Sequence, residues 1–453
     1  MKISFECADK INGLLTMTVE KADYQEAVEK TLKNYRKKAQ VPGFRPGMVP
    51  MGMIKKQYGT AVKVDEVNKL LGEKLYEYVR ENKIQMLGEP LPNQEKQVPQ
   101  DFENADDLTF VFDIAVAPEF KAELTGRDKI DYYTIKADDK LIDDQVQMYA
   151  SQAGEFVKAE VFSGNDTITG DMRELDENGN TKEGGIVTEG AMVMPAYIKA
   201  DDQKKLFDGV KPGDIITFNP KKAYPDNDAE VAALLKTEKD HVKDLTSDFS
   251  YQITEIRHFQ PAEVNQTLFD RVFGEGTVKD EKAFREKIAE TVAPQLQQNS
   301  DYKFLLDVRA HMEKKVGKLE FPEALLKRVM LQNNQDKGAD YVEKNFEGSI
   351  KELAWHLIKE QLVAANNIKV EEDDLKAVAK DAIRAQFAQY GMSNVPDDVL
   401  ENYAAEQLKK RENVDNFVDR AVDVKLTEAL KKVVKLNEKE VTLEEFNKLM
   451  QQK

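Results

Sequence analysis

Cysteine is almost absent: Cys7 stands alone in 453 residues. One thiol cannot build an intramolecular disulfide framework or a multi-cysteine zinc site. Cys7 falls in an alternating, strand-like pattern, where a thiol is ordinarily an inert core group. Histidine is nearly as sparse, and His241, His258, His311 and His356 fit no metal-ligand spacing. There is no nucleophile elbow and no phosphate-loop pattern. Gly274-Glu275-Gly276 reads as a turn between helices, and the run Glu371-Glu372-Asp373-Asp374 suits a solvated helix start. Long apolar runs are missing too. No stretch approaches the length that spans a bilayer, and the opening residues lack the basic-then-apolar profile of a signal peptide. The expectations are therefore no cofactor, no metal, no membrane and a cytoplasmic location.

What is present is charge. Asp and Glu number 83 against 66 Lys and Arg, a net charge of −17, and charged residues make up 33% of the chain. Such a chain is soluble and helix-leaning, and its length requires two to four domains rather than one core. The acidic excess argues against general coating of nucleic acid. Residues 21–63 reverse the sign, with ten basic and three acidic residues, a local +7. Inside that island lies Gly43-Phe44-Arg45-Pro46-Gly47-Met48-Val49-Pro50. Two glycines permit backbone angles that other residues avoid, while Pro46 and Pro50 fix φ and remove donors. The stretch cannot continue a helix or enter a sheet, so it reads as a stiff loop presenting Phe44 and Arg45, residue types favoured as binding anchors. The plainer alternative is a connector whose Phe44 folds back into the core.

The pattern Gly-Phe-Arg-x-Gly-x-x-Pro, followed by a helix and Gly59, resembles the ribosome-docking signature of the trigger factor family, chaperones that meet nascent chains at the exit tunnel. Pro46 stands where the family often has lysine. The resemblance implies an α+β multidomain architecture: an α+β ribosome-binding domain, an FKBP-like β-rich domain and a discontinuous all-α chaperone domain with helical arms. It implies docking through Gly43, Phe44, Arg45, Gly47 and Pro50 onto exit-tunnel protein and rRNA. It further implies nascent or unfolded polypeptides as partners, and a homodimer away from the ribosome.

Along the chain, residues 1–20 read as a hairpin turning near Asn12-Gly13, and Asp23 is the expected N-cap of the helix that follows. Pro50 should open a short helix, with Val67, Leu71, Leu75 and Val79 striping a longer one. A strand is expected at 108–116, closing a domain over 1–118. Residues 119–160 read as a linker and the first part of the helical domain. A turn-rich, β-like texture marks 161–259, including a turn at Asp176-Glu177-Asn178-Gly179-Asn180 whose spacing is wrong for a calcium loop. From 260 to 453 helical stripes dominate, with Pro294 expected to kink or end one of them and a break at Gly391.

In 161–259 the resemblance implies a prolyl isomerase pocket around Asp171, Met172, Phe207, Phe218 and Tyr224. Isomerisation needs an apolar aromatic enclosure rather than a nucleophile, because the barrier is torsional. Met172 and Lys182 occupy the expected aromatic positions, and an apparent insertion over 228–245 follows. This erosion implies slow catalysis. For client binding the candidates are Leu305, Met312, Leu326, Met330 and Trp355, since flexible apolar side chains suit promiscuous contact; individually, such stripe residues are ordinarily helix core. Two functions stay open: an ATP-independent chaperone on the ribosome, or an enzyme whose main task is prolyl isomerisation with helices holding the substrate.

Overall fold

The computed structural model describes residues 1–45, 47–390, 392 and 395–451. The chain divides into two compact units, residues 1–132 with 301–439, and 133–300 with 440–453.

In the first unit, the amino-terminal residues build a four-stranded antiparallel sheet in the order Lys2–Glu6, Asn12–Val19, Leu108–Ala115, Leu91–Pro92. Period-two alternation in Asn12–Val19 sends Leu15, Met17 and Val19 to one face, where they meet Tyr24, Val67, Leu71, Leu75 and Val79 from two helices. The hairpin turns earlier than expected. Asp9 Oδ1 accepts the amides of Ile11 (3.1 Å) and Asn12 (2.7 Å), and Gly13 lies inside the strand. A Cβ there would stand 2.5 Å from the Phe5 ring, so close packing, not turn geometry, requires glycine. The helix Lys21–Lys38 is capped by Glu20, with Asp23 at its third position returning a bond to the Glu20 amide. Beyond Pro50 there is one helix, Met51–Glu81, of 31 residues, rather than a short helix and a long one.

The helical part of this unit is assembled from distant stretches of chain. Ala122, Leu124 and Ile130 share one core with Phe304, Val308, Met312, Trp355, Ile358, Leu362, Leu426 and Leu430. Asp128 fixes that junction. Its carboxylate accepts from Thr125 N, from His311 Nε2 at 3.0 Å and from Lys315 Nζ at 2.8 Å, while its carbonyl accepts the Lys435 amide. Burial opposes ionisation of Asp128, but these donors outweigh it and hold the carboxyl well below the usual carboxylate range. A second apolar cluster joins Leu87, Leu91, Ala115 and Ala117 to Phe321, Leu325, Leu326 and Val329, with Arg328 paired to Asp113 at 2.7 Å.

In the second unit a five-stranded antiparallel sheet centres on Phe249–Gln260, which pairs with Glu155–Ala159, Thr167–Glu174 and Ile215–Phe218; Val187–Val193 lies outside Thr167–Glu174. Gly179, with φ +81°, sits in the turn in which Asp176 Oδ1 accepts the amides of Asn178 and Asn180 at 2.9 Å. The stretch 228–245 is helical, with Asp228–Leu234 and a 3₁₀ turn Lys239–Val242. The helix Glu281–Val316 runs on through Pro294, so the proline does not end it; it removes one backbone bond from a helix whose Ile288 and Leu296 are buried before and after it. The sequence pattern also misses the strand Lys435–Val441, which pairs with Lys129–Ile135. Gly391 lies outside the described residues. No helix among the described residues is long and apolar enough to cross a membrane.

Asp128→Asn is expected to destabilise the core around Trp355 by about 2 kcal/mol at neutral pH, because it leaves Lys315 without its counter-charge and weakens the hydrogen bond with His311. The folded carboxyl lies below the unfolded value of about 3.9. The stabilisation is therefore complete above that pH and declines only as pH falls below it, through the folded value. Denaturant titrations followed by Trp355 fluorescence measure this. Equal stability at neutral pH, or a gap that closes already between pH 5 and 7, would contradict it.

Candidate functional site

The loop between the first two helices is built from two turns. In the first, the Phe44 amide donates to the Val41 carbonyl at 3.1 Å; in the second, the Met48 amide donates to the Arg45 carbonyl at 2.9 Å. Gly43 (φ +89°) and Gly47 (φ +85°) each occupy the third place of their turn, a backbone region open to glycine and costly to other residues. Pro46 lies outside the described residues. Val49 is fully buried with Leu32, Ala39, Ile54 and Val62 between the two helices, and Arg36 Nε donates to the Val49 carbonyl at 2.8 Å. Pro50 caps the second helix, its carbonyl accepting the Met53 amide at 3.0 Å. The loop is thus pinned at its base and open at its tip.

The tip exposes Phe44, Met48 and Met53, at 39%, 68% and 45% of their full surface. Arg45 is exposed as well. Phe44 therefore does not fold back into the core. From residue 30 to residue 63 there are nine basic residues and no acidic one. Among the described residues the side chains of Lys30, Lys33, Lys37, Lys38, Arg45, Lys55 and Lys56 have no hydrogen-bond or ion-pair partner. Elsewhere lysines and arginines are widely paired, as in Arg309 with Glu313 and Glu352. The tip is an apolar knob ringed by uncompensated positive charge. Sequence reasoning missed Met48, Met53, the buried Val49 and the Arg36 tether. Two exposed methionines flanking Pro50 were a visible signal, whereas the tether had none.

The five pocket candidates lie in or beside one core. Met172, Phe207, Phe218 and Tyr224 join Phe249 and Tyr251 in a continuous apolar cluster. The Phe207 and Phe218 rings stand edge to face at 5.3 Å, and the Tyr251 hydroxyl lies 3.0 Å and 2.9 Å from the carbonyls of Ile168 and Ala191. Burial, and then the nearby Glu230 charge, push the Tyr224 phenol up to about 12. Asp171 accepts the Gly190 amide at 2.9 Å. Lys182 is not in this cluster. It pairs with the buried Glu174 at 2.6 Å, because an ammonium gains more from a carboxylate at the hairpin than from an apolar enclosure.

The client candidates lie on the packed faces of their helices. Met312 and Trp355 are buried in the core that Ala122 and Leu124 share, and Leu305 packs against it. Leu326 is buried against Leu87 and Leu91, with Met330 beside it. Their helical spacing reflects packing on neighbouring elements: Met312, Leu326 and Trp355 keep almost no surface for another chain, while Leu305 and Met330 are half-buried. The exposed apolar side chains of this helical region are others, including Tyr390, Met392 and Tyr403. No group of three or more His, Cys, Asp or Glu among the described residues is placed to hold a metal ion.

Three family models match the chain: bacterial trigger factor protein over residues 1–149, the FKBP-like domain of probable trigger factor over 156–261, and the C-terminal domain of probable trigger factor over 300–450. The trigger factor of Shewanella woodyi is 26% identical over 100% of each chain, and that of Chlorobaculum tepidum 23% identical over 96% of each. A solved structure described as "Promiscuous Substrate Recognition in Folding and Assembly Activities of the Trigger Factor Chaperone" aligns with 95% of this chain and 100% of its own, at a TM-score of 0.46 and 14% identity.

Arg36→Met should loosen the tip without unfolding the helices. Loss of a charged hydrogen bond worth about 1.5 kcal/mol predicts roughly tenfold faster exchange of the Phe44 and Met48 amides, with the amides in the middle of Met51–Glu81 unchanged. Identical loop exchange in the variant would show that Val49 burial alone sets the loop.

Proposed function

The chain belongs to the trigger factor family, and from that premise we propose that it is a ribosome-associated, ATP-independent chaperone that docks through residues 43–50 and assists nascent polypeptides. The observation that carries the docking assignment is the tip: Phe44 exposed on a loop pinned by Val49, amid cations without partners. Phe44 fills an apolar niche on an exit-tunnel protein, and Arg45 with the flanking lysines meets rRNA phosphates or acidic side chains. Away from the ribosome, the same apolar tip favours cover by a second copy of the chain. The location is the cytoplasm, where ribosomes and unfolded clients meet.

The division of labour follows the proposed domains. Residues 1–118 dock, 119–160 with 260–453 hold clients, and 161–259 form the FKBP-like module. Client contact falls to exposed apolar side chains of the helical part, Tyr390, Met392 and Tyr403 among them, rather than to the buried stripe residues. Holding is favoured over isomerisation as the main task because Phe207, Phe218 and Tyr251 are fully buried, and buried rings cannot enclose an incoming prolyl ring.

Replacing Phe44 and Arg45 together with Ala should weaken ribosome co-sedimentation by at least about 2 kcal/mol, roughly thirtyfold, while leaving thermal unfolding unchanged. Raising salt should weaken the wild-type complex too, since exposed cations are screened. Undiminished binding of the double variant excludes this loop as the principal dock. On short prolyl peptides the full chain should isomerise slowly; a kcat/KM at or above about 10⁴ M⁻¹s⁻¹, the lower end of ordinary enzymes, would show that the aromatic cluster opens readily.

A further inference from the structure

Three of the fourteen methionines, Met48, Met51 and Met53, fall within six residues of chain. Met51 packs against the cluster around Val49 and Ile54. Met48 is the most exposed methionine among the described residues, and Met53 is exposed as well. The fold uses both through their backbone amides, which donate to the Arg45 and Pro50 carbonyls; neither side chain joins the core between the helices. The neighbouring glycines have no side chain to lay over either sulfur, and a Cβ built on Gly43, Gly47 or Gly52 would meet nothing within 4 Å. Both thioethers stand open to small reagents in water.

The one thiol that could compete for an oxidant is muted. Burial, and then the nearby Asp9 charge, push the Cys7 thiol up, and the protonated thiol is a poor nucleophile beside the thiolate. A thioether carries no proton to lose, so exposure decides which methionine reacts first. Met17, Met172 and Met312 are fully buried and shielded. A peroxide transfers one oxygen atom: a sulfur lone pair forms the S–O bond as the O–O bond breaks, and hydrogen peroxide leaves as water. The sulfur gives up two electrons and the peroxide takes them. An apolar side chain becomes a polar, uncharged sulfoxide.

We propose that Met48 and Met53 form an oxidation-sensitive modification site, at which a peroxide converts the thioethers to sulfoxides and so weakens docking of the loop. The proposal rests on the reading of residues 43–50 as the dock. A sulfoxide oxygen carried into an apolar niche loses its water without gaining a partner, which is costly. The cations around the loop are untouched, so affinity falls while its dependence on salt stays the same. Docking covers the tip, so oxidation acts on the free chain. A methionine sulfoxide reductase reverses the change, the oxygen leaving as water while a dithiol closes to a disulfide.

The test treats the full chain with hydrogen peroxide, measures sulfoxide at each methionine by peptide mass spectrometry, and follows ribosome co-sedimentation after the peroxide is removed. Met48 and Met53 should oxidise at least about tenfold faster than Met312, as exposure dictates. Ribosome affinity should then fall about tenfold, the scale of one buried unpaired polar group, and return after treatment with the reductase and dithiothreitol. Met48→Gln/Met53→Gln, polar without oxidation, should bind as the oxidised chain does. Met48→Leu/Met53→Leu, compared only with itself before and after peroxide, should change less than about twofold, although the exposed Met192 and Met392 still oxidise in it. Three results overturn the proposal: Met48 oxidising no faster than Met312, undiminished binding of the oxidised chain or the glutamine variant, or an equal loss in the leucine variant. If Phe44→Ala/Arg45→Ala also binds as the wild type does, the docking assignment falls with it. If that variant binds weakly, the assignment stands and the oxidation site alone is lost.

Discussion

The first unit depends on one non-local closure. Ala122, Leu124 and Ile130 must reach a core otherwise made by side chains far along the chain, from Phe304 to Leu430, and Asp128 locks them there through His311, Lys315 and the Lys435 amide. Bringing such distant segments together costs loop entropy before any contact repays it. The stretch between them lowers that cost by folding on itself. Within the second unit, Glu155–Ala159 pairs in antiparallel register with the last residues of Phe249–Gln260, from Ala159 opposite Ile256 to Glu155 opposite Gln260. The module's entry and exit strands therefore lie side by side, and the chain leaves it close to where it entered.

At the proposed docking loop no carboxylate accompanies the cations. Many lysines and arginines elsewhere pair with carboxylates, as Lys327 does with Glu343 and Lys425 with Asp374, but the residues from 30 to 63 include none. Exposed ion pairs add little to stability, so leaving these cations unpaired costs the fold little, while it preserves a field that an anionic partner can meet. The same economy holds for the tip. Val49 and Arg36 fix its base, which leaves Phe44, Met48 and Met53 free of structural duty and available to a partner.

Much of this was legible in the residues. The glycine-proline spacing of 43–50 announces a stiff presented loop, and both glycines have the positive φ their type permits. The short run Ile215–Phe218 is a strand as its β-branched residues suggest. Other features left no local trace. Lys435–Val441 is a strand although Lys-Leu-Asn-Glu-Lys-Glu-Val shows almost no apolar alternation, because it is mostly exposed and is held by pairing with Lys129–Ile135. Pro294 sits inside a helix because the burial of Ile288 and Leu296 on either side outweighs one missing bond. The client candidates show a related limit. Periodicity shows that Met312, Leu326 and Trp355 face something apolar, and a neighbouring helix or strand satisfies that pattern as well as a client does. Lys182 illustrates the same limit, since its partner Glu174 lies eight residues away across a turn.

The central claim is that the chain meets the ribosome through one pinned loop and its flanking cations. Amide hydrogen exchange of the full chain, with and without ribosomes, addresses it residue by residue. The account predicts slowed exchange at residues 41–49 and at the adjoining ends of Lys21–Lys38 and Met51–Glu81, with the strand Phe249–Gln260 unchanged. Protection confined to the module or to the helices beyond residue 320, with the loop exchanging as it does in the free protein, would contradict it.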